Sequence, residues 1–233
     1  MTGVYIISAP SGSGKSTLVN QVRKIVPGLK FSISYTTRGA RTGEQGGREY
    51  YFVTRPEFEE MIRNDDFLEH ADVFGNYYGT ARRFLREAEE EGKDLLLDID
   101  VQGAEQIKRK IPEAVRIFVM PPNRQELEKR LRTRSLDAED VIQRRLVTAS
   151  REIENYSKYD YILVNDRLEE SIDALKSILL AERLKRSGAQ GQQSADDDTN
   201  LTAKAERCRL NNVRERLQPI LASFEKAVAP GGR

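Results

Sequence analysis

Four short aliphatic runs punctuate the chain: Val4 to Ser8, Leu95 to Val101, Val115 to Met120 and Tyr161 to Val164. Their near-continuous apolar character predicts strands buried on both faces. Between them, apolar residues recur at three- and four-residue spacing. Leu18, Val22 and Ile25 form one such stripe, Leu127 and Leu131 a second, and Leu168, Ile172, Leu175 and Leu179 a third. That period is the one by which a helix turns a single face to a core. Asn123 ahead of Glu126, and Asp137 ahead of Asp140, predict helix N-caps followed by an acidic first turn. Strand alternating with helix implies an α/β fold with a parallel sheet flanked by helices and ligands bound at the carboxyl ends of the strands.

Two stretches break the alternation. Residues 33–85 are rich in glycine and aromatic residues, among them Gly39, Gly43, Tyr50, Tyr51, Phe52, Tyr77 and Tyr78, which predicts an inserted sub-domain. Residues 187–200 contain no large apolar side chain and predict a flexible linker, because nothing there offsets the entropy of ordering. Beyond it, 201–229 predicts a helical extension on the apolar positions Leu201, Ala205, Cys208, Val213, Leu217, Ile220, Leu221 and Phe224. Pro219 should kink this helix or begin a second one. The extension either packs on its own domain or drives self-association through Leu217, Ile220, Leu221 and Phe224, so both a monomer and a homo-oligomer are open.

Composition narrows the chemistry. The 233 residues carry 38 basic and 37 acidic side chains, a formal charge of +1 that argues against a nonspecific nucleic-acid binder. No apolar run approaches the ~18 residues of a membrane span. The chain opens directly into the first strand without a basic flank, which argues against a signal peptide. One cysteine, Cys208, precludes an internal disulfide and a thiolate zinc cluster, and one histidine, His70, leaves little room for histidine-based nucleophilic catalysis. These features predict a cytoplasmic protein.

The candidate chemistry begins after the first strand, at Ala9-Pro10-Ser11-Gly12-Ser13-Gly14-Lys15-Ser16-Thr17. Glycines let the backbone wrap a phosphate with its N–H groups inward, and the following helix adds its positive end. Lys15 supplies a cation for the β- and γ-phosphates and Ser16 a hydroxyl for Mg²⁺. This is a phosphate loop of the P-loop NTPase type, with Ala9 where the general pattern has Gly. Further on, Thr36-Thr37-Arg38 leads to Arg41 and Tyr50, two guanidinium forks and a phenol suited to a second phosphate group.

Together with Asn76-Tyr77-Tyr78-Gly79 and Leu97-Asp98-Ile99-Asp100-Val101-Gln102-Gly103, these segments resemble the guanylate kinase family in content and order over residues 1–186. The resemblance implies that the 33–85 segment binds GMP and that 126–142 is a lid over ATP. It implies that Arg38, Arg41, Tyr50 and Tyr78 hold the GMP phosphate and that Ser34, Glu69, Thr80 and Asp100 hold guanine. Thr80 replaces the family's usual Ser, and Ala40 stands where Pro is common. On the donor side it implies that Arg134 and Arg145 reach the transferred phosphate, that Arg130 lies near adenine, and that Asn165 contacts it. Asp98 either orients water on Mg²⁺ or faces an arginine at the strand end. Arg132 is assigned to the solvated face, and His70 to the rim rather than to proton transfer.

The base chemistry supports the carry-over. Guanine presents N1–H and N2–H₂ donors, which two carboxylates can accept, whereas adenine presents an N1 lone pair to the same position. The expected reaction is Mg²⁺-dependent phosphoryl transfer from ATP to GMP, with closure of the 33–85 and 126–142 segments excluding water. A small-metabolite kinase of the same architecture would not need Glu69 and Asp100 together with Tyr50 and Tyr78. A noncatalytic guanylate-kinase-like interaction module would not need Gly14, Lys15 and Ser16 intact.

Overall fold

The computed structural model describes residues 2–73, 75–134, 138–188 and 195–225. Its strands and helices alternate as the hydrophobic pattern predicts. Five strands follow the order β2-β7-β1-β8-β9, where β1 is Val4–Ser8, β2 Leu29–Phe31, β7 Asp94–Asp98, β8 Val115–Met120 and β9 Tyr161–Val164. The pairs β2/β7 and β8/β9 are parallel. The chain divides into two compact units, one of residues 1–6 and 27–115, the other of 7–26 and 116–233.

The first unit contains the predicted insertion. Its second sheet has the order β4-β3-β6-β5, built from β3 (Tyr35–Thr36), β4 (Tyr51–Phe52), β5 (Phe67–Val73) and β6 (Asn76–Ala81). Helix α2 (Arg55–Arg63) enters through a capping box in which Thr54 and Glu57 satisfy each other's backbone N–H groups. Helices α3 (Arg83–Glu90) and α4 (Val101–Lys110) complete the unit. The sheet is held by stacked rings, Phe58 on Phe67 at 4.4 Å and Tyr35 on Tyr51 at 4.8 Å. Gly79 sits beneath this cluster, where a Cβ would lie 2.9 Å from the Phe67 ring. β7 ends three residues earlier than its apolar run predicts. Asp100 caps α4, so Val101 already belongs to a helix.

The second unit carries α1 (Lys15–Ile25), α5 (Arg124–Arg134), α6 (Glu139–Ile153), a 3₁₀ turn (Glu154–Lys158), α7 (Leu168–Ser187), α8 (Ala195–Arg207) and α9 (Leu210–Glu225). Leu18, Leu127, Leu131, Leu175 and Leu179 are buried as their spacing requires, while Ile25 is 47% exposed and leaves the core stripe. Asn123 caps α5, its Oδ1 accepting from the Glu126 N–H at 2.8 Å. The other expected cap, Asp137, lies outside the described residues. Among the described residues no helix is long and apolar enough to cross a membrane.

The C-terminal segment departs from expectation in three ways. The linker expected over 187–200 is shorter, because Ser187 still closes α7 and 195–200 already belong to α8; 189–194 lie outside the described residues. An acidic run at a helix start meets the positive end of the backbone dipoles, so polarity there does not oppose helix. Pro219 does not start a second helix; it lies inside α9. Glu215, whose carbonyl the missing N–H would have met, is exposed, so water can serve it. The helix break falls instead at Cys208 and Arg209, which bond the edge of β9: Ile162 N–H donates to Cys208 O at 2.8 Å, and Leu210 N–H to Asp160 O at 3.1 Å.

The apolar side chains expected to drive self-association are spent within the chain. Leu217, Ile220 and Phe224 are buried, and α9 packs on α5, α6 and β9. Leu221 is half-buried.

Candidate active site

The residues expected to hold the acceptor lie within the first unit. Glu69 on β5 stands directly across from Thr80 on β6, and the Thr80 hydroxyl donates to Glu69 Oε1 at 2.6 Å. Both residues are buried. Burial pushes the Glu69 carboxyl up to about 7, with the nearby Asp100 charge adding to the rise and the Thr80 hydrogen bond offsetting part of it. The Thr80 hydroxyl proton is thus directed at Glu69.

Asp100 approaches from the start of α4, its Oδ1 accepting from Gly103 N–H at 2.8 Å. Gly103 is the hinge between the two carboxylates. A Cβ there would lie 2.4 Å from Glu69 Oε2, so only glycine leaves that oxygen its place. Sequence reasoning quoted Gly103 as part of a motif without a role; the signal was its position three residues after Asp100.

The expected phosphate-holding residues also gather in this unit. Arg38 lies over the Tyr50 ring at 5.3 Å and hydrogen-bonds to Tyr78, and the Tyr50 and Tyr78 rings meet edge-on at 5.8 Å. Arg41 is exposed. Ser34 is half-buried at the entry to β3, its carbonyl accepting from Tyr51 N–H at 2.9 Å. Glu44, unassigned from sequence, organises the arginines. Its carboxylate takes Arg38 Nη2 at 2.9 and 3.0 Å and the Arg41 N–H at 2.8 Å. Burial raises the Glu44 carboxyl, but these hydrogen bonds outweigh it and hold the group below its ordinary value. His70 is exposed and held through its backbone by Gln106, as a rim residue should be.

The phosphate loop and the residues expected beside it lie within the second unit. The phosphate loop joins β1 to α1, with Gly12 and Gly14 both left-handed at φ +90° and +88°. Pro10 O accepts from Ser13 N–H at 3.1 Å, closing the turn. Lys15 opens α1, and Ser16 and Thr17 follow with exposed side chains. Ala9 is half-buried and Ser11 exposed at the loop's shoulder.

Asn165 lies against the phosphate loop. It is buried, and its Nδ2 donates to Ser13 O at 2.7 Å. A Cβ on Gly14 would lie 2.3 Å from that nitrogen. Arg130 donates to the Asn165 carbonyl at 3.0 Å and to Glu126 at 2.9 Å, so both residues brace the loop. Arg132 is on the exposed face, paired with Glu128 and Glu139. Arg145 is half-buried on α6. Arg134 ends α5, and its side chain lies outside the described residues.

Known proteins match this chain in sequence and in fold. The guanylate kinase family model matches residues 1–182. The chain belongs to the guanylate kinase family. It is 55% identical over 230 residues to the guanylate kinase of Koribacter versatilis (strain Ellin345), covering 97% of each chain. It is 50% identical over 184 residues to that of Vibrio parahaemolyticus, covering 78% of this chain and 89% of the relative. A crystal structure of guanylate kinase from Anaplasma phagocytophilum matches with a TM-score of 0.66 and 37% identity, over 78% of this chain and 86% of that one. An alignment of 230 residues cannot fit within the 1–182 match, so the likeness to the Koribacter guanylate kinase runs into the C-terminal segment.

Proposed function

We propose that this guanylate kinase family member transfers the γ-phosphoryl group of ATP to GMP, giving ADP and GDP. The observation that carries the reading is the buried Glu69, tied to Thr80 and set beside the Asp100 cap, in a chain that also holds a complete phosphate loop. Ionised carboxylates accept from guanine N1–H and N2–H₂; adenine would leave its N1 lone pair buried against a carboxylate. Ser34 would supply a further hydroxyl to the base, and the Thr80 oxygen keeps lone pairs for a donor on it.

The acceptor phosphate has a second pKa near ~6 and is mostly a dianion at neutral pH, so its oxygen needs no general base. The task is to bring it against a triphosphate without repulsion, which positioned cations accomplish. Arg38, Arg41, Tyr50 and Tyr78 would grip the acceptor phosphate. Lys15, Arg134 and Arg145 would face the transferring group, and the backbone from Ala9 to Thr17 would cradle the donor phosphates.

Mg²⁺ fits the donor half. Among the described residues no group of three His, Cys, Asp or Glu side chains is disposed to hold a metal. Mg²⁺ nevertheless needs few protein ligands, because phosphates and water complete its shell. Ser16 would hold it, and Asp98 remains the carboxylate proposed to orient a water on it. When bound, the ion spreads positive charge over the β- and γ-phosphate oxygens. A cytoplasmic location belongs to this proposal, in keeping with a sequence that carries one cysteine and so no internal disulfide framework.

A coupled ADP-release assay with GMP, AMP and ribose bisphosphate as rival acceptors tests the reading. GMP should be turned over on the order of 10⁴-fold more efficiently than AMP, and Lys15→Met should suppress turnover in a folded protein. Equal use of AMP, or preference for ribose bisphosphate, would overturn it.

A further inference from the structure

Helix α5 touches the phosphate loop twice. Leu127 and Leu131 press on Gly12, where a Cβ would lie 3.0 Å from Leu127 Cδ1 and 2.9 Å from Leu131 Cδ2. One turn along, Arg130 takes the Asn165 carbonyl at 3.0 Å, and Asn165 takes the Ser13 carbonyl at 2.7 Å. The loop's backbone therefore rests on α5 directly and through one side chain.

The first turn of α5 is in turn held from outside the family domain. The first N–H groups of a helix have no partner within it. Asn123 serves Glu126 N–H, and the Arg124 N–H donates to Ser223 Oγ on α9 at 3.1 Å. The Ser223 hydroxyl spends its own proton on Ile220 O at 2.6 Å, which leaves its oxygen as the acceptor. Ile220 and Phe224 are buried on either side of it.

The segment bearing Ser223 is fixed at its other end. Arg209 bridges to Tyr161 on β9, lies over the Tyr161 ring at 4.4 Å and pairs with Glu182 at 2.9 Å. Lys204 pairs with Asp173 at 2.6 Å, joining α8 to α7. A helix anchored at both ends can impose a position on what it touches.

We infer that the C-terminal segment belongs to the donor-nucleotide machinery: Ser223 is a positioning residue that fixes the start of α5 and, through Leu127, Leu131 and Arg130, the phosphate loop. The inference rests on the reading of that loop as the ATP site. An unmet N–H at the helix start would let α5 shift, and small displacements of a phosphate cradle are costly to binding.

The test uses the full-length chain and its Ser223→Ala, Ser223→Thr and Phe224→Ala variants. ATP dissociation constants come from calorimetry, KM for GMP from steady-state kinetics, and folding from circular dichroism. Ser223→Ala should weaken ATP binding roughly three- to tenfold with KM for GMP unchanged. Ser223→Thr, which keeps the hydroxyl, should restore it, and Phe224→Ala should shift ATP binding in the same direction.

Unchanged ATP affinity in folded Ser223→Ala, equal weakening of ATP and GMP, or no rescue by threonine would overturn the inference. Should Phe224→Ala not fold, the two Ser223 variants decide. An unaltered chain that bound no ATP would instead count against the functional reading itself.

Discussion

Glu69 is where function and stability pull apart. Its carboxyl rises from 4.5 to about 7 on burial, which at about 1.4 kcal/mol per pH unit is a cost of roughly 3 kcal/mol once the group is ionised. Because the folded chain holds this proton more tightly than the unfolded one, the penalty is absent below pH 4.5, grows as pH rises towards 7, and is constant above. Glu69→Gln keeps an acceptor for Thr80 and has no charge to bury. Denaturant unfolding should therefore find the variant more stable than the parent at pH 8, by up to roughly 3 kcal/mol, with the difference vanishing near pH 4.5. A difference independent of pH would show that Glu69 is ionised at no cost. On the proposed reading guanine binding needs the ionised form, so the group that burial destabilises would be the one that selects the base.

At the level of elements, the pocket depends on where α4 begins. Gly103 sits one turn into that helix, with its N–H on Asp100 and its bare Cα against Glu69. Alanine would favour the helix by about 1 kcal/mol and yet cannot be accommodated without moving the Glu69 carboxylate. Gly103→Ala should raise KM for GMP roughly ten- to a hundredfold with ATP binding unchanged; an unaltered KM for GMP would mean that Glu69 need not stay where it is.

The strands β1, β8 and β9 were legible residue for residue, because an apolar run buried on both faces leaves little choice of register. β7 was read too long because Asp100 was weighed as a ligand and not also as a helix cap. The pairing of Glu69 with Thr80, and of Arg38 with Glu44, follows from hairpin register and loop closure, which local pattern does not encode. The C-terminal helices were legible as an amphipathic stretch, but their break was assigned to Pro219. It is set instead by long-range bonds from Cys208 and Leu210 to β9 and its preceding residue.

For the whole molecule, the residues proposed to bind acceptor and donor fall in different units, and each group is assembled from segments distant in sequence. The acceptor half draws Glu69, Thr80 and Asp100 from a hairpin and a helix start. The donor half draws its loop, Arg130 and Asn165 from three more places. Charged side chains of both signs are numerous, 38 basic against 37 acidic, and many arginines outside the two halves are spent on exposed ion pairs such as Arg132 with Glu139. Such pairs contribute little to stability.

The central claim is that two carboxylates choose the purine. The most direct measurement is the ratio of kcat/KM for GMP over AMP in the parent chain and in the Glu69→Gln, Asp100→Asn double variant. The parent ratio should be on the order of 10⁴ and should fall by at least a hundredfold in the variant, chiefly through lost GMP turnover. A ratio that survives the double substitution would contradict the account.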